Sequence, residues 1–143
     1  MLYKIYLKKG TVYLPTTMRQ EASYMDVEPV TVVPVADTEA LRRAMQNTIP
    51  KQNSFLPSAE GARKPPVLLK YTGDKSWSAF MRGTSPWSIY EKDGNYQIEG
   101  YRTDRKGYWE EDPNNVIKFP PGTPLEAVID RMIAILQDAA QQT

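Results

Sequence analysis

The chain has neither cysteine nor histidine among its 143 residues. Without cysteine there is no disulfide framework, no thiolate nucleophile and no thiolate metal site. Without histidine the chain lacks the commonest general base, the commonest transition-metal ligand and the usual switch near neutral pH. Ser-His-Asp and Cys-His catalysis are excluded, and zinc would have to be held by carboxylates alone. No run approaches the ~18 apolar residues of a membrane-spanning helix. The opening "LYKIYLKKG" alternates where a signal peptide would carry an apolar stretch. These absences predict a cytoplasmic protein with no membrane association, no cofactor and no metal.

What is present describes an ordinary folded chain, 41% apolar and 24% charged, close to the usual size of one domain. In "LYKIYLKKGTVYL" Tyr3, Ile5 and Leu7 share one strand face while Lys4, Tyr6 and Lys8 share the other, and Lys9-Gly10 supplies a turn. "SYMDVEPVTVVPV" is β-branched, but Pro29 and Pro34 cannot donate to a ladder, which predicts an edge or bent strand. "DTEALRRAMQNTI" has Leu41, Ala44, Met45 and Ile49 on one helical stripe, with Asp37 or Thr38 as cap. Residues 50–66 have no period and read as a long surface loop. "VLLKY" at 67–71 reads as an interior strand, and "SWSAFMRG" as a short helix with Trp77, Phe80 and Met81 inward.

The flanks of Asp93-Gly94 alternate, a strong hairpin signal. Trp87, Ile89, Tyr96 and Ile98 are expected to face the closing helix, leaving Ser88, Tyr90, Lys92, Gln97, Glu99 and Tyr101 toward water or a partner. "GYWEE" and "NVIKF" continue the meander. In the last segment Thr123 caps, Pro124 fills the first turn and Glu126 completes a capping box, ahead of an apolar face of Leu125, Val128, Ile129, Met132, Ile135, Leu136 and Ala139. The expected fold is therefore one α+β domain spanning 1–143. Its core is a mostly antiparallel, twisted sheet of five to seven strands, with the C-terminal helix packed on one face and one or two shorter helices.

The net charge of +1 conceals blocks of alternating sign. Residues 42–82 hold eight bases and two acids, whereas residues 83–112 hold four bases and seven acids. The densest stretch is "YRTDRKGYWEED" at 101–112, with three aromatic rings, three cations and four carboxylates. One reading is a plain hairpin bent at Lys106-Gly107, with cross-strand charge pairs each contributing ~0.2–1 kcal/mol. The other is a docking surface of Tyr101, Arg102, Arg105, Tyr108, Trp109, Glu110, Glu111 and Asp112, because aromatic rings and arginine are enriched at interface hot spots. A two-carboxylate active site has little specificity in so acidic a stretch, and the acids lack the spacing of a calcium loop. "TGDKS" at 72–76 lacks the glycines of a phosphate-binding loop and reads as a helix cap.

The basic block offers a competing nucleic-acid track through Arg42, Arg43, Arg63, Lys64 and Lys70, with Tyr71 available for stacking. A histidine-free ribonuclease is chemically conceivable on such groups, and a structural or phage-type assembly subunit is a third class. The near-neutral total disfavours a dedicated nucleic-acid binder. The leading expectation is a non-enzymatic protein-binding module. In its most concrete form this is a small bacterial inhibitor or immunity-type protein that covers a basic toxin, nuclease or other enzyme partner through an acidic-aromatic surface.

Overall fold

The computed structural model describes residues 1–20, 23–49 and 66–142. Apart from Pro66, the expected loop at 50–66 lies outside them, as do Arg63 and Lys64. Six strands form one antiparallel sheet: β1 (Leu2–Lys8), β2 (Thr11–Gln20), β3 (Ser23–Pro34), β4 (Thr84–Lys92), β5 (Asn95–Thr103) and β6 (Trp109–Lys118), in the order β3-β2-β1-β4-β5-β6. Two hairpins meet where β1 pairs with β4, Lys4 opposite Ser88. Both tight turns take the left-handed backbone that glycine tolerates: Lys9 and Gly10 have φ of 50° and 74°, Asp93 and Gly94 of 54° and 79°.

The ladder breaks at two places, each beside proline. Between Leu14 and Thr16 the register on β3 moves from Thr31 to Val27, with Pro15 on one strand and Pro29 on the other. Between Glu99 and Tyr101 the partner moves from Val116 to Glu111, and β6 carries Pro113 in the excess chain. Proline has no N–H to donate, so bulges form where it sits. As expected from its prolines, β3 is an edge strand.

Helix α1 (Thr38–Thr48) is capped by the Asp37 carboxylate, which accepts from the Ala40 N–H, and Leu41, Ala44 and Met45 are buried. The C-terminal helix α4 (Leu125–Gln141) buries Val128, Ile129, Met132, Ile133 and Leu136. Together α1 and α4 cover one sheet face over Ile5, Leu7, Val12, Leu14, Ile89 and Ile98, with Trp87 and Tyr96 half-buried at the margin. The capping box expected at α4 does not form: the Thr123 hydroxyl donates to the Pro120 carbonyl, within the preceding turn, and the helix starts after Pro124 with no side-chain cap.

The other sheet face departs further from expectation. "VLLKY" forms a short helix, α2 (Leu68–Thr72), ended by Gly73 at φ 77°, instead of an interior strand. A five-residue apolar run has no decisive period, and here only Leu68 is fully inside, which one helical turn accomplishes. Helix α3 (Trp77–Met81) follows, with the Ser76 hydroxyl accepting from the Ala79 N–H. Leu68 and Phe80 then pack with Tyr6 and Val30 in a second, smaller cluster. The face that alternation alone assigns to water is thus partly roofed: Lys8, Ser88 and Glu99 are buried.

Candidate functional site

On this second face the register aligns a polar row across five strands. Asp26 lies opposite Thr17, Lys4 opposite Ser88, and Ser88 opposite Glu99, while the Thr17 hydroxyl accepts from the Lys4 N–H at 3.3 Å. The Tyr6 hydroxyl donates to Oδ2 of Asp26 at 2.6 Å, and the Lys4 ammonium stands 3.7 Å from its Oδ1. That Oδ1 is buried and accepts no hydrogen bond among the described residues. Burial therefore raises the Asp26 carboxyl above its ordinary value, against the opposing pull of Lys4 and the Tyr6 hydrogen bond. Tyr6 is pushed well up, first by burial and then by Asp26.

Ser88 links this row to Glu99 at 3.3 Å and to the Tyr101 hydroxyl at 2.9 Å, and the Gln97 amide donates to the other oxygen of Glu99. Tyr101 is held above the ordinary tyrosine value mainly by burial. The charges of Glu99, Glu111 and Asp26 add to the shift, and the Ser88 hydrogen bond opposes it. Beside the row stands an aromatic group. Trp109 meets Tyr6 at 5.9 Å, Trp77 edge-on at 5.6 Å and Phe80 at 6.1 Å. Such ring pairs contribute ~0.5–1.5 kcal/mol beyond their buried area.

Lys8 anchors α3 beneath this group. Its ammonium donates to Oδ2 of Asp74 at 3.0 Å and to the carbonyls of Ala79 and Phe80, each at 2.9 Å. It also lies 5.4 Å from the Phe80 ring centroid. A buried lysine satisfied in this way is structural, and it fixes the height at which Trp77 meets Trp109.

The structure divides the stretch 101–112 between the two faces. Tyr101 lies opposite Glu111 and Thr103 opposite Trp109, so Tyr101, Trp109 and Glu111 join the second face. Arg102 pairs with Glu110 at 2.9 Å and reaches Asp112 at 3.9 Å, so these three lie together on the opposite side. Arg105 and Tyr108 sit in the exposed turn, Tyr108 at 64%. Asp104 organises that turn, accepting from the N–H groups of Lys106 and Tyr108. Trp109 is neither core nor free surface; it is half-buried.

The basic block is not brought together among its described residues. Arg42, on α1, pairs with Glu39 and with Asp130 of α4 at 3.0 Å, and Arg43 is exposed nearby. Lys70 lies on the other side of the sheet, bound with the Tyr71 hydroxyl to one oxygen of Glu28 at 2.9 and 2.8 Å. Those two bonds lower the Glu28 carboxyl below its ordinary value. Sequence reasoning missed Asp26, and it placed Ser88 and Glu99 toward water or a partner where the structure buries them. The alternation of Lys4, Tyr6 and Lys8 was the one signal that a polar face needed partners. Among the described residues no group of three or more acids is placed to hold a metal ion, and no helix is long and apolar enough to cross a membrane.

No protein-family profile matches the chain, and no curated protein matches it. Its fold is similar to solved structures. One is a protein of unknown function from Neisseria meningitidis, 14% identical at a TM-score of 0.63, covering 90% of this chain and 88% of that one. Another is a chain of the CdiA-CT/CdiI toxin and immunity complex from Yersinia pseudotuberculosis, 8% identical at a TM-score of 0.64, covering 97% of this chain and 95% of that one. At these identities the likeness shows the fold.

Proposed function

We propose that this protein is a cytoplasmic, non-enzymatic binding module of the immunity type, which covers a basic toxin or enzyme. The observation that carries the reading is the acid-rich edge strand β6. Glu110 and Glu111 stand exposed on its two sides, with Tyr108 beside them at the turn and Trp109 half-buried between. Complementary charge steers association, and aromatic anchors hold a complex once formed. Likeness along nearly the whole length to a chain of a toxin and immunity complex supports the same reading. The nucleic-acid alternative has less in its favour, since Arg42 and Lys70 are already paired with carboxylates.

Co-expression tests the proposal. The reading frame adjacent to this gene is expressed alone and with this chain. The expected result is that its product is toxic alone, is tolerated with this chain, and copurifies with it as a stoichiometric complex. Unchanged toxicity with no complex would refute the reading for that product.

A further inference from the structure

On the second sheet face the strand alternation sets Glu111 beside the aromatic group while Arg102 is turned to the other side, and Lys8 beneath the group is taken up by Asp74. Glu111 is exposed and makes no ion pair or hydrogen bond among the described residues. Its neighbours Glu110 and Asp112 point to the other side, where Arg102 satisfies both. Glu99 is 5% exposed and, among the described residues, bound only to the neutral groups of Ser88 and Gln97. Among the described residues the only cation paired within this row is Lys4, engaged with Asp26 and with the Tyr24 carbonyl at 3.4 Å. Two residues from Glu111 along β6, the half-buried Trp109 ring leans on Tyr6 and Trp77.

We infer that the shelf of Trp109 and Trp77, with Glu111 at its rim, is the docking point for an arginine side chain presented by the protein partner. A planar guanidinium can stack on an indole face while donating in a fork to a carboxylate, a geometry that a lysine ammonium does not match. The charge complementarity is local. Tyr101 and Glu111 stand opposite each other on this face, and Arg102, which could have neutralised Glu111, is turned away by the period-2 alternation of β5. A nucleic-acid occupant is disfavoured by the same charge. The inference rests on the proposed function for its partner class, but the site can be tested without that partner.

The probe is a short acetylated, amidated arginine peptide, titrated into the intact protein at low salt, with the lysine peptide of equal length as comparison. The readout is the indole N–H resonances of Trp77, Trp87 and Trp109 in a nitrogen–proton correlation spectrum. The arginine peptide is expected to move Trp109 and Trp77 and to leave Trp87, on the opposite face, in place; the lysine peptide should act more weakly. Glu111→Gln, an exposed change that leaves the fold intact, should weaken the arginine response by roughly ten-fold, as loss of a charge-assisted hydrogen bond does. Equal movement of all three indoles, equal response to lysine, no response at all, or an unchanged affinity in Glu111→Gln would each overturn the site. If a toxic partner binds Glu111→Gln as tightly as the natural chain, this inference fails while the proposed function stands. If the peptide binds here but no protein partner exists, the reverse holds.

Discussion

A Cβ at residue 100 would lie 2.9 Å from the Cβ of Asn115 and 2.9 Å from Cζ3 of Trp87. Neither atom is the far end of a flexible chain, so Gly100→Ala should force the bulge in β6 or the Trp87 ring to shift. Overpacking of this kind costs ~1–3 kcal/mol, which urea denaturation would measure with the slope unchanged. Asp26 gives a pH-dependent counterpart. Its carboxyl is raised in the folded state from an ordinary value of 3.8, so unfolding releases a proton over the interval between the two values. For an acid shifted upward the folded state is favoured below 3.8, and that advantage is lost as pH rises through the raised value. Asp26→Asn removes the titration. The stability of the variant relative to the natural chain should therefore improve as pH climbs through that interval and stay level above it. A relative stability flat from pH 3 to 7 would show that the Tyr6 and Lys4 contacts cancel the effect of burial.

At the scale of the element, α3 depends on one side chain from β1. Lys8→Ala would leave the Asp74 carboxylate and the carbonyls of Ala79 and Phe80 without their shared donor. The Asp74 carboxylate lies near the surface and regains water, so the cost falls mainly on the two carbonyls. The local consequence should be release of α3 from the sheet, seen as a red shift of tryptophan emission when Trp77 and Trp109 meet water. Helix α4 makes a larger contribution. Removing residues 123–143 strips five buried side chains from the sheet, Val128, Ile129, Met132, Ile133 and Leu136. Each is worth ~1.5–3 kcal/mol, against a typical net stability of ~5–15 kcal/mol. The truncated chain should show no cooperative thermal transition; an unchanged melting curve would mean that the sheet is stable without its cover.

For the whole molecule, charge is sorted by surface more than by sequence block. The described residues of the basic segment 42–82 are divided between the two sides of the sheet, Arg42 with α1 and Lys70 with α2. Single-stranded RNA should accordingly bind weakly and without sequence preference, and the binding should vanish near physiological salt as counterions compete. Submicromolar affinity at that salt, measured by fluorescence anisotropy, would restore the nucleic-acid reading. With a basic protein partner, Glu110→Lys should chiefly slow association and flatten its dependence on salt, because rim charges steer encounters. Stopped-flow kinetics separates that outcome from a change in the dissociation rate.

Much of this architecture was legible in local pattern. Alternation in "LYKIYLKKG" and around Asp93-Gly94 marks two hairpins, and prolines mark β3 as an edge. The stripes of α1 and α4 identify the helices that close one face, because a period of 3.6 sustained over three or more turns has few alternatives. The sequence by itself also removed histidine and cysteine chemistry from consideration. Pairing of β1 with β4 was not legible, since it joins Lys4 to Ser88 across most of the chain. That single pairing decides what alternation cannot. It places Lys8 under α3, buries Ser88 and Glu99, and sets Asp26, Tyr6, Tyr101 and Trp109 on one surface. Alternation assigns a residue to a side of its strand; whether that side is wet depends on which distant segment settles over it. For residues 68–72 the same rule applied, and a run too short to declare its period became the turn of helix that the second face required.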